Sequence, residues 1–449
     1  MLMSEDELIA LLMDRDGPGV FTRTLGFGTG THVIKGVHVM NDLAQVALGG
    51  RPSHNGDLLA RVIREEKREG GEDNSDSAMR TASPLGEVYG RAFPPPPALS
   101  VHRRTLLRSA IGELVHHDGG VYRPGTSMAS GLVTHSGLLG AEGFTRFGVG
   151  RYLHDVLGPE GQERVRALYS SATDPYSRAL APLIWSAELT EGSKRAGDAP
   201  PPSPFDEALG ARLTTLLTHP LAKPHILRLF LHVATLGLFL KVMGVGRAGG
   251  RPTILATTAA DVSSSRLLRG EATASVRAGV AALDDALART LAADLTAADR
   301  ATSADDATQL LREVRGKRAS DSKLYLPDKF VVALAARAGM ILPRTDRAGW
   351  GRHLALTSDA VEALTLMYVP PGARPIAWRA LWDGVATDLG LYIGADTYGD
   401  ACALRDAGVT HVHAEELERN QANILALATR RGVARHLPDG GAEAGGELL

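Results

Sequence analysis

Apolar residues recur at helical spacing along most of the chain, and strand-like runs are few and short. Leu8, Leu11 and Leu12 share one face of an acidic opening helix over 4–14. A glycine-rich stretch, "TLGFGTGTHVIKG", follows it. The spacing predicts helices at 41–48 and 57–66, then a polar loop at 67–84 with too few large apolar residues to offset ordering entropy. "VHRRTLLRSAIGELVHH" carries Leu106, Leu107, Ile111, Leu114 and Val115 on a helical face, and Gly119–Gly120 stops it. Further helices are expected at 151–170, 174–188 and 205–218, with a Pro-rich connector at 191–204 before the last. The most apolar segment, Ile226 to Gly244, contains Arg228, His232 and Lys241 and reads as a core helix, not a membrane span. "TILATTA", near 252–258, is a short strand, and an Ala-rich helix covers 264–294.

Beyond a charged, small-residue segment at 296–322, with a helix near 306–315, the pattern changes. Short helices and strands alternate. "LPDKFVVALAARAG" is a helix with a glycine stop. "HLALTSDAVEALTLMYV" is a strand, an N-cap at Thr357 or Ser358, and a helix with Asp359 and Glu362 in its first turns. "PIAWRALWDGVATDLG" is another helix, and "AEELERNQANILALATRRG" is amphipathic, with Leu417, Ile424, Leu427 and Ala428 inward. A strand and a Pro-Asp-Gly-Gly turn end the segment. The expected architecture is mainly α. A large helical N-terminal region, 1–295, holds a small strand element. A linker spans 296–322, and a C-terminal α+β winged-helix-like module occupies 323–449.

Composition narrows the classes. The 449 residues are 44% hydrophobic and 22% charged, ordinary for a globular protein. Arg far outnumbers Lys, and Ala and Gly abound, as in a GC-rich bacterial genome. A formal net charge of −2 supplies no global field toward nucleic acid or anionic lipid, so any such binding must be local. The one cysteine, Cys402, permits no intrachain disulfide and fits a reducing cytoplasm. The acidic N-terminus lacks the basic region of a signal peptide.

Candidate chemistry is sparse. Gly125-Thr126-Ser127-Met128-Ala129-Ser130 resembles the serine loop of subtilisin-like proteases, and Gly28 to Gly36 resembles that family's histidine block. The resemblance implies a nucleophile at Ser127 and a base in the first block. Thr29, however, occupies the base's position, and His32 matches only the family's second, non-catalytic histidine. Gly131 replaces the usual proline, and the interval between the blocks contains helices and loops where the family has a parallel sheet. A serine without its base is a poor nucleophile. Ser127 is therefore expected to be non-catalytic, with Thr126 or Ser127 capping a short helix.

The glycine loop Gly26, Gly28, Gly30 with Lys35 has the composition of a phosphate cradle but no P-loop ending. His411, His413 and Glu415 outline a metal pair without a third ligand, and the expectation is polar surface. Asp57 with Glu65, Glu66 and Lys67 mimics a nuclease outline on a helix where such enzymes use a strand. His225, Arg228 and His232 form one helical stripe that must meet acids of its own domain or an anionic ligand. In the last helix and its turn, Arg419, Asn420, Gln421, Asn423, Arg430, Arg431, Arg435 and His436 have the chemistry to address bases or phosphates. These residues suggest a non-catalytic, cytoplasmic, DNA-associated accessory protein of a bacterial multi-gene DNA-processing or defence system. It would need no cofactor or metal, would contact double-stranded DNA or protein partners, and would avoid membranes. The alternatives are an enzyme binding a phosphate-containing ligand at 26–35 and a helical scaffold or interaction subunit.

Overall fold

The computed structural model of the protein describes residues 11–12, 19–29, 39–40, 43, 46–47, 50–52, 148–170, 189–191, 200–259, 265–297, 304–316, 326–343 and 351–445. The expected helices at 57–66, 101–117 and 174–188, the polar stretch 67–84 and the loop around Ser127 lie outside those residues. The described chain is mainly helical with a few short strands, and it forms two compact units.

One unit comprises 37–154 and 162–195. It holds an antiparallel pair, β1 (Gly50–Pro52) and β2 (Leu189–Glu191), in which Arg51 faces Thr190. The other comprises 1–36, 155–161 and 196–449. Its helices begin with α1 (Val20–Leu25) and the middle of α2 (Val149–Ser170), which kinks at Gly158 before Pro159. There follow α3 (Pro204–Leu217), α4 (Lys223–Gly244), α5 (Arg266–Ala297), α6 (Ala304–Gly316) and α7 (Pro327–Arg337). The C-terminal part adds α8 (Ser358–Tyr368), α9 (Trp378–Leu389), α10 (Thr397–Asp406) and α11 (Ala414–Arg430).

Helix α4 is the core of this unit. It is apolar all round, so it must be enclosed. Its stretch His225–Gly244 has a mean hydropathy of 1.8, long and apolar enough to cross a membrane, yet most of it is buried by protein. Helices α3, α5, α7 and α8 pack around it and bury Leu229, Phe230, Leu236, Phe239, Leu240 and Val242. Each such side chain contributes about 1.5–3 kcal/mol. Near its C-terminal end Lys241 donates to Asp206 at 2.7 Å, both side chains being almost fully enclosed. Asp206 also completes a capping box with Ser203 at the start of α3. One carboxylate thus neutralises the only ammonium group of α4's final turns and stops a second helix from fraying.

The expected strand is present at 254–258, as β3 (Ile254–Leu255) and β4 (Thr257–Thr258) on either side of Ala256. Each half pairs with a different neighbour. β3 runs parallel to β8 (Leu391–Tyr392), and β4 runs parallel to β6 (His353–Leu356). β6 also pairs antiparallel with β5 (Ile341–Leu342). β3, β4 and β6 are buried along their whole length, which suits parallel strands covered on both faces. Both parallel partners come from beyond residue 323. A separate antiparallel sheet has the order β7 (Ile376–Ala377), β10 (Ala442–Ala444), β9 (Ala434–His436).

The shared role of Asp206 sets an expectation. Asp206→Ala strands the buried Lys241 ammonium and should cost about 3–5 kcal/mol. Ser203→Ala removes only the cap and should cost about 1 kcal/mol. Equal losses by urea denaturation of the two full-length variants would mean that the ion pair carries no stability.

Candidate functional site

The residues singled out in the C-terminal segment fall on α11 and the β9–β10 hairpin. The inward face of α11 carries Leu417, Ile424, Leu427 and Ala428, as the spacing predicts. Asn420 lies on that same face and is wholly buried. Its Nδ2 donates to the carbonyls of Ala256 and Ile393 at 2.8 and 2.9 Å. These oxygens lie between β3 and β4 and just after β8, so the amide ties the two segments together. Asn420 therefore braces the sheet and is turned away from any groove. A polar residue between outward-facing neighbours looks like surface until the helix's azimuth is fixed.

The remaining residues divide by what they already touch. Arg419 is exposed and pairs with Glu416 one turn away at 3.0 Å. Gln421 and Asn423 are half-buried at the flanks of the helix. Arg430 is exposed, and its Nε donates to Ala426 O at 3.2 Å. Arg435 faces Glu443 directly across the hairpin and forms an ion pair with it. His436 is exposed on the same strand. Arg431 is drawn away, donating to Ser358 Oγ at 2.8 Å and to Asp359, with Glu362 3.7 Å away.

Arg431 thereby joins the stripe seen on α4. His225 Nε2 lies 2.5 Å from Glu362, Arg228 Nε lies 3.6 Å from Asp359, and His232 Nε2 lies 4.0 Å from Asp359. The stripe thus meets acids of its own unit. Asp359 and Glu362 belong to the first turns of α8, where Thr357 accepts from Ala360 N as the N-cap. The helix dipole favours carboxylates there, and two guanidinium groups neutralise them. This network welds α4, α8 and the end of α11.

The glycine loop is described only in part. Gly26, at φ 87°, ends α1, and its N–H donates to Thr22 O at 2.8 Å, so it is committed to the helix stop. Gly28 and Thr29 are buried. Gly30 and Lys35 lie outside the described residues.

Two further polar clusters lie in this unit. His413, the residue before α11, gives both its backbone N–H (2.9 Å) and Nδ1 (2.5 Å) to Glu271 of α5. Burial raises the Glu271 carboxyl, and the His413 contacts oppose this. Asp400, in the first turn of α10, accepts from Gly394 N at 2.8 Å. Burial pushes its carboxyl up to about 6, the Gly394 hydrogen bond pulls the other way, and Asp396 and Asp383 add to the rise. The Glu271–His413 contact joins residues 142 apart in sequence, so local sequence gives no signal of it, whereas the Asp400 cluster is largely local.

No protein-family model, curated protein or solved structure matches the chain.

Asp400 makes stability depend on pH with a definite sign. A carboxyl raised in the folded state binds protons that the unfolded chain releases, so its contribution is lost as pH rises toward and past 6. Asp400→Asn keeps an acceptor for Gly394 and removes the charge. It should stabilise the protein by about 1–2 kcal/mol at pH 7.5 and by almost nothing at pH 4. A gain that is the same at both pH values, measured by denaturant titration, would refute this. Buried His219 and His353 oppose the trend, since burial lowers both and their contribution is lost as pH falls below about 6.5.

Proposed function

We propose that this is a non-catalytic, DNA-associated accessory protein that contacts duplex DNA through the C-terminal end of α11 and the β9–β10 hairpin. A bacterial DNA-processing or defence system is the setting this reading suggests. One observation carries the reading. The three-stranded sheet has the order β7–β10–β9, with α8 before it in the chain, α9 after β7 and α11 before β9. A helix, a first strand, two more helices and a closing hairpin, with the last strand central, is the winged-helix order. Residues 390–413, including β8 and α10, would be an insertion between the second and third helices.

In that geometry the third helix meets a groove and the hairpin meets a phosphate backbone. The entry of α11 carries exposed Glu415 and Glu418, which phosphates repel. Contact therefore falls to Arg430, Arg435 and His436. The Arg435–Glu443 pair lies at the surface, where such pairs are worth little and exchange readily for phosphate. The same acidic entry favours the second reading, docking of a basic or neutral protein partner.

Salt dependence of duplex binding by the full-length chain separates the two. Affinity should fall with a slope near −0.9 per phosphate neutralised, with about two to four contacts. Joint replacement of Arg430, Arg435 and His436 by Ala should flatten the slope by about two to three. Arg431→Ala should instead lower the melting temperature, because it opens the α4–α8 network. Absence of duplex binding at low salt, or binding unaffected by the triple replacement, assigns the hairpin to protein contact.

A further inference from the structure

Partly buried guanidinium groups in this unit are generally paired. Arg23 meets Asp294, Arg212 meets Asp388 at 2.8 Å, and Arg431 meets Asp359. The loop that leads from α4 into β3, Val245–Arg251, breaks the pattern. It reads "VGRAGGR", and Gly246, Gly249 and Gly250 all have positive φ, which folds it tightly. The loop seats closely on its surroundings. A Cβ on Gly250 would lie 2.8 Å from Ser203 Oγ, and one on Gly246 would lie 3.3 Å from Nη2 of Arg289, reaching over from α5. The Nε of Arg251 lies against Gly249, 3.8 Å from such a Cβ.

Arg247, Arg251 and Arg289 therefore border one glycine loop. Among the described residues none of the three pairs with a carboxylate. The Nε–H groups of Arg247 and Arg251 are shielded from solvent and donate to nothing. Asp206, in the adjoining capping box, is already held by Lys241 and Ser203. Buried donors without acceptors are uncommon and costly. Burial with no compensating anion also pulls the Arg247 guanidinium below its ordinary range.

We infer that the Val245–Arg251 loop and Arg289 form an anion site that takes a phosphate group. A phosphate offers the acceptors these donors lack, in the planar two-point geometry that guanidinium favours over ammonium. The site goes beyond the reading given above and does not depend on it. Pro252, next to the loop, packs against Gly390 at the C-terminal end of α9, whereas β7 precedes that helix's first residue. The 12 residues of α9, about 18 Å of helix, therefore separate the loop from the β7–β10–β9 sheet. The phosphate could belong to a nucleic-acid backbone or to a small phosphorylated molecule, and both present the same oxygens.

The test uses the full-length chain with pyrophosphate and, separately, a short DNA duplex. Thermal melting at constant ionic strength should show pyrophosphate stabilising the wild type and the Arg430/Arg435/His436→Ala variant equally. The joint variant Arg247→Gln, Arg251→Gln, Arg289→Gln should lose that shift while keeping its circular dichroism spectrum. Arg289→Gln alone, on an exposed helical position, leaves the loop packing intact and should weaken pyrophosphate affinity several-fold. If the loop variant also lowers the salt slope of duplex binding, the phosphate is that of a nucleic acid. If only the pyrophosphate response is lost, it is that of a small ligand. The inference is overturned if pyrophosphate and duplex both fail to bind the wild type, or if the Arg289→Gln and joint variants bind them as the wild type does. Loss confined to the hairpin variant would leave the proposed function standing and remove the loop site.

Discussion

The five residues Ile254–Thr258 impose the constraint on which the larger unit depends. A strand buried on both faces must satisfy its amides through ladders, since no water reaches them. This strand does so by dividing its pairing between β8 and β6. Neither partnership is longer than two residues, too short to hold by itself. Asn420 compensates where the pairing with β8 ends, taking one carbonyl from each segment. The backbone N–H of Ala256 donates to Tyr392 O at 2.9 Å, and that of Ala259 donates to Leu356 O at 2.9 Å. Parallel pairing requires long crossovers. Three helices of those crossovers, α5, α7 and α8, also pack against α4.

Electrostatics reinforces that arrangement at helix starts. Asp206 at α3, Asp359 at α8, Asp400 at α10 and Glu271 beside the entry of α11 each place a carboxylate near free backbone N–H groups. Lys241, Arg228, Arg431 and His413 supply the positive partners for three of these four starts. Asp400 has its backbone donor but lies near two further carboxylates, and its raised titration follows from that. The arginines around Val245–Arg251 are the inverse case, positive groups placed without a negative partner. The proposed anion site rests on that imbalance.

Legibility differed by kind of element. Helix α4 was readable because apolar residues on every side leave a helix nowhere to go but inward. Its sealing by α3, α5, α7 and α8, two of them distant in sequence, was not readable. Local composition predicts a cap at Thr357 or Ser358, and Thr357 supplies it, because capping needs only residues within one turn. The apolar face of α11 follows from its spacing, yet Asn420, by its chemistry a candidate for base contact, lies on that face. A single polar residue in an apolar stripe is visible only when its buried acceptors are known. Here those acceptors come from residues 256 and 393.

The sequence by itself determined that the chain is mainly helical, that α4 is a core helix, where several helices begin and stop, and that positive groups gather near the C-terminus. Each of these depends on contacts within a few residues, on side-chain periodicity or on counting. Tertiary structure decided which arginines remain available. Arg431 and Arg435 are close in sequence, but packing draws Arg431 into the carboxylates of α8 and leaves Arg435 at the surface. Arg247 and Arg251 share one glycine loop, but Arg289 joins them only because α5 passes over the loop that ends α4. Charge availability depends on distances between segments remote in sequence, and only the fold sets those distances.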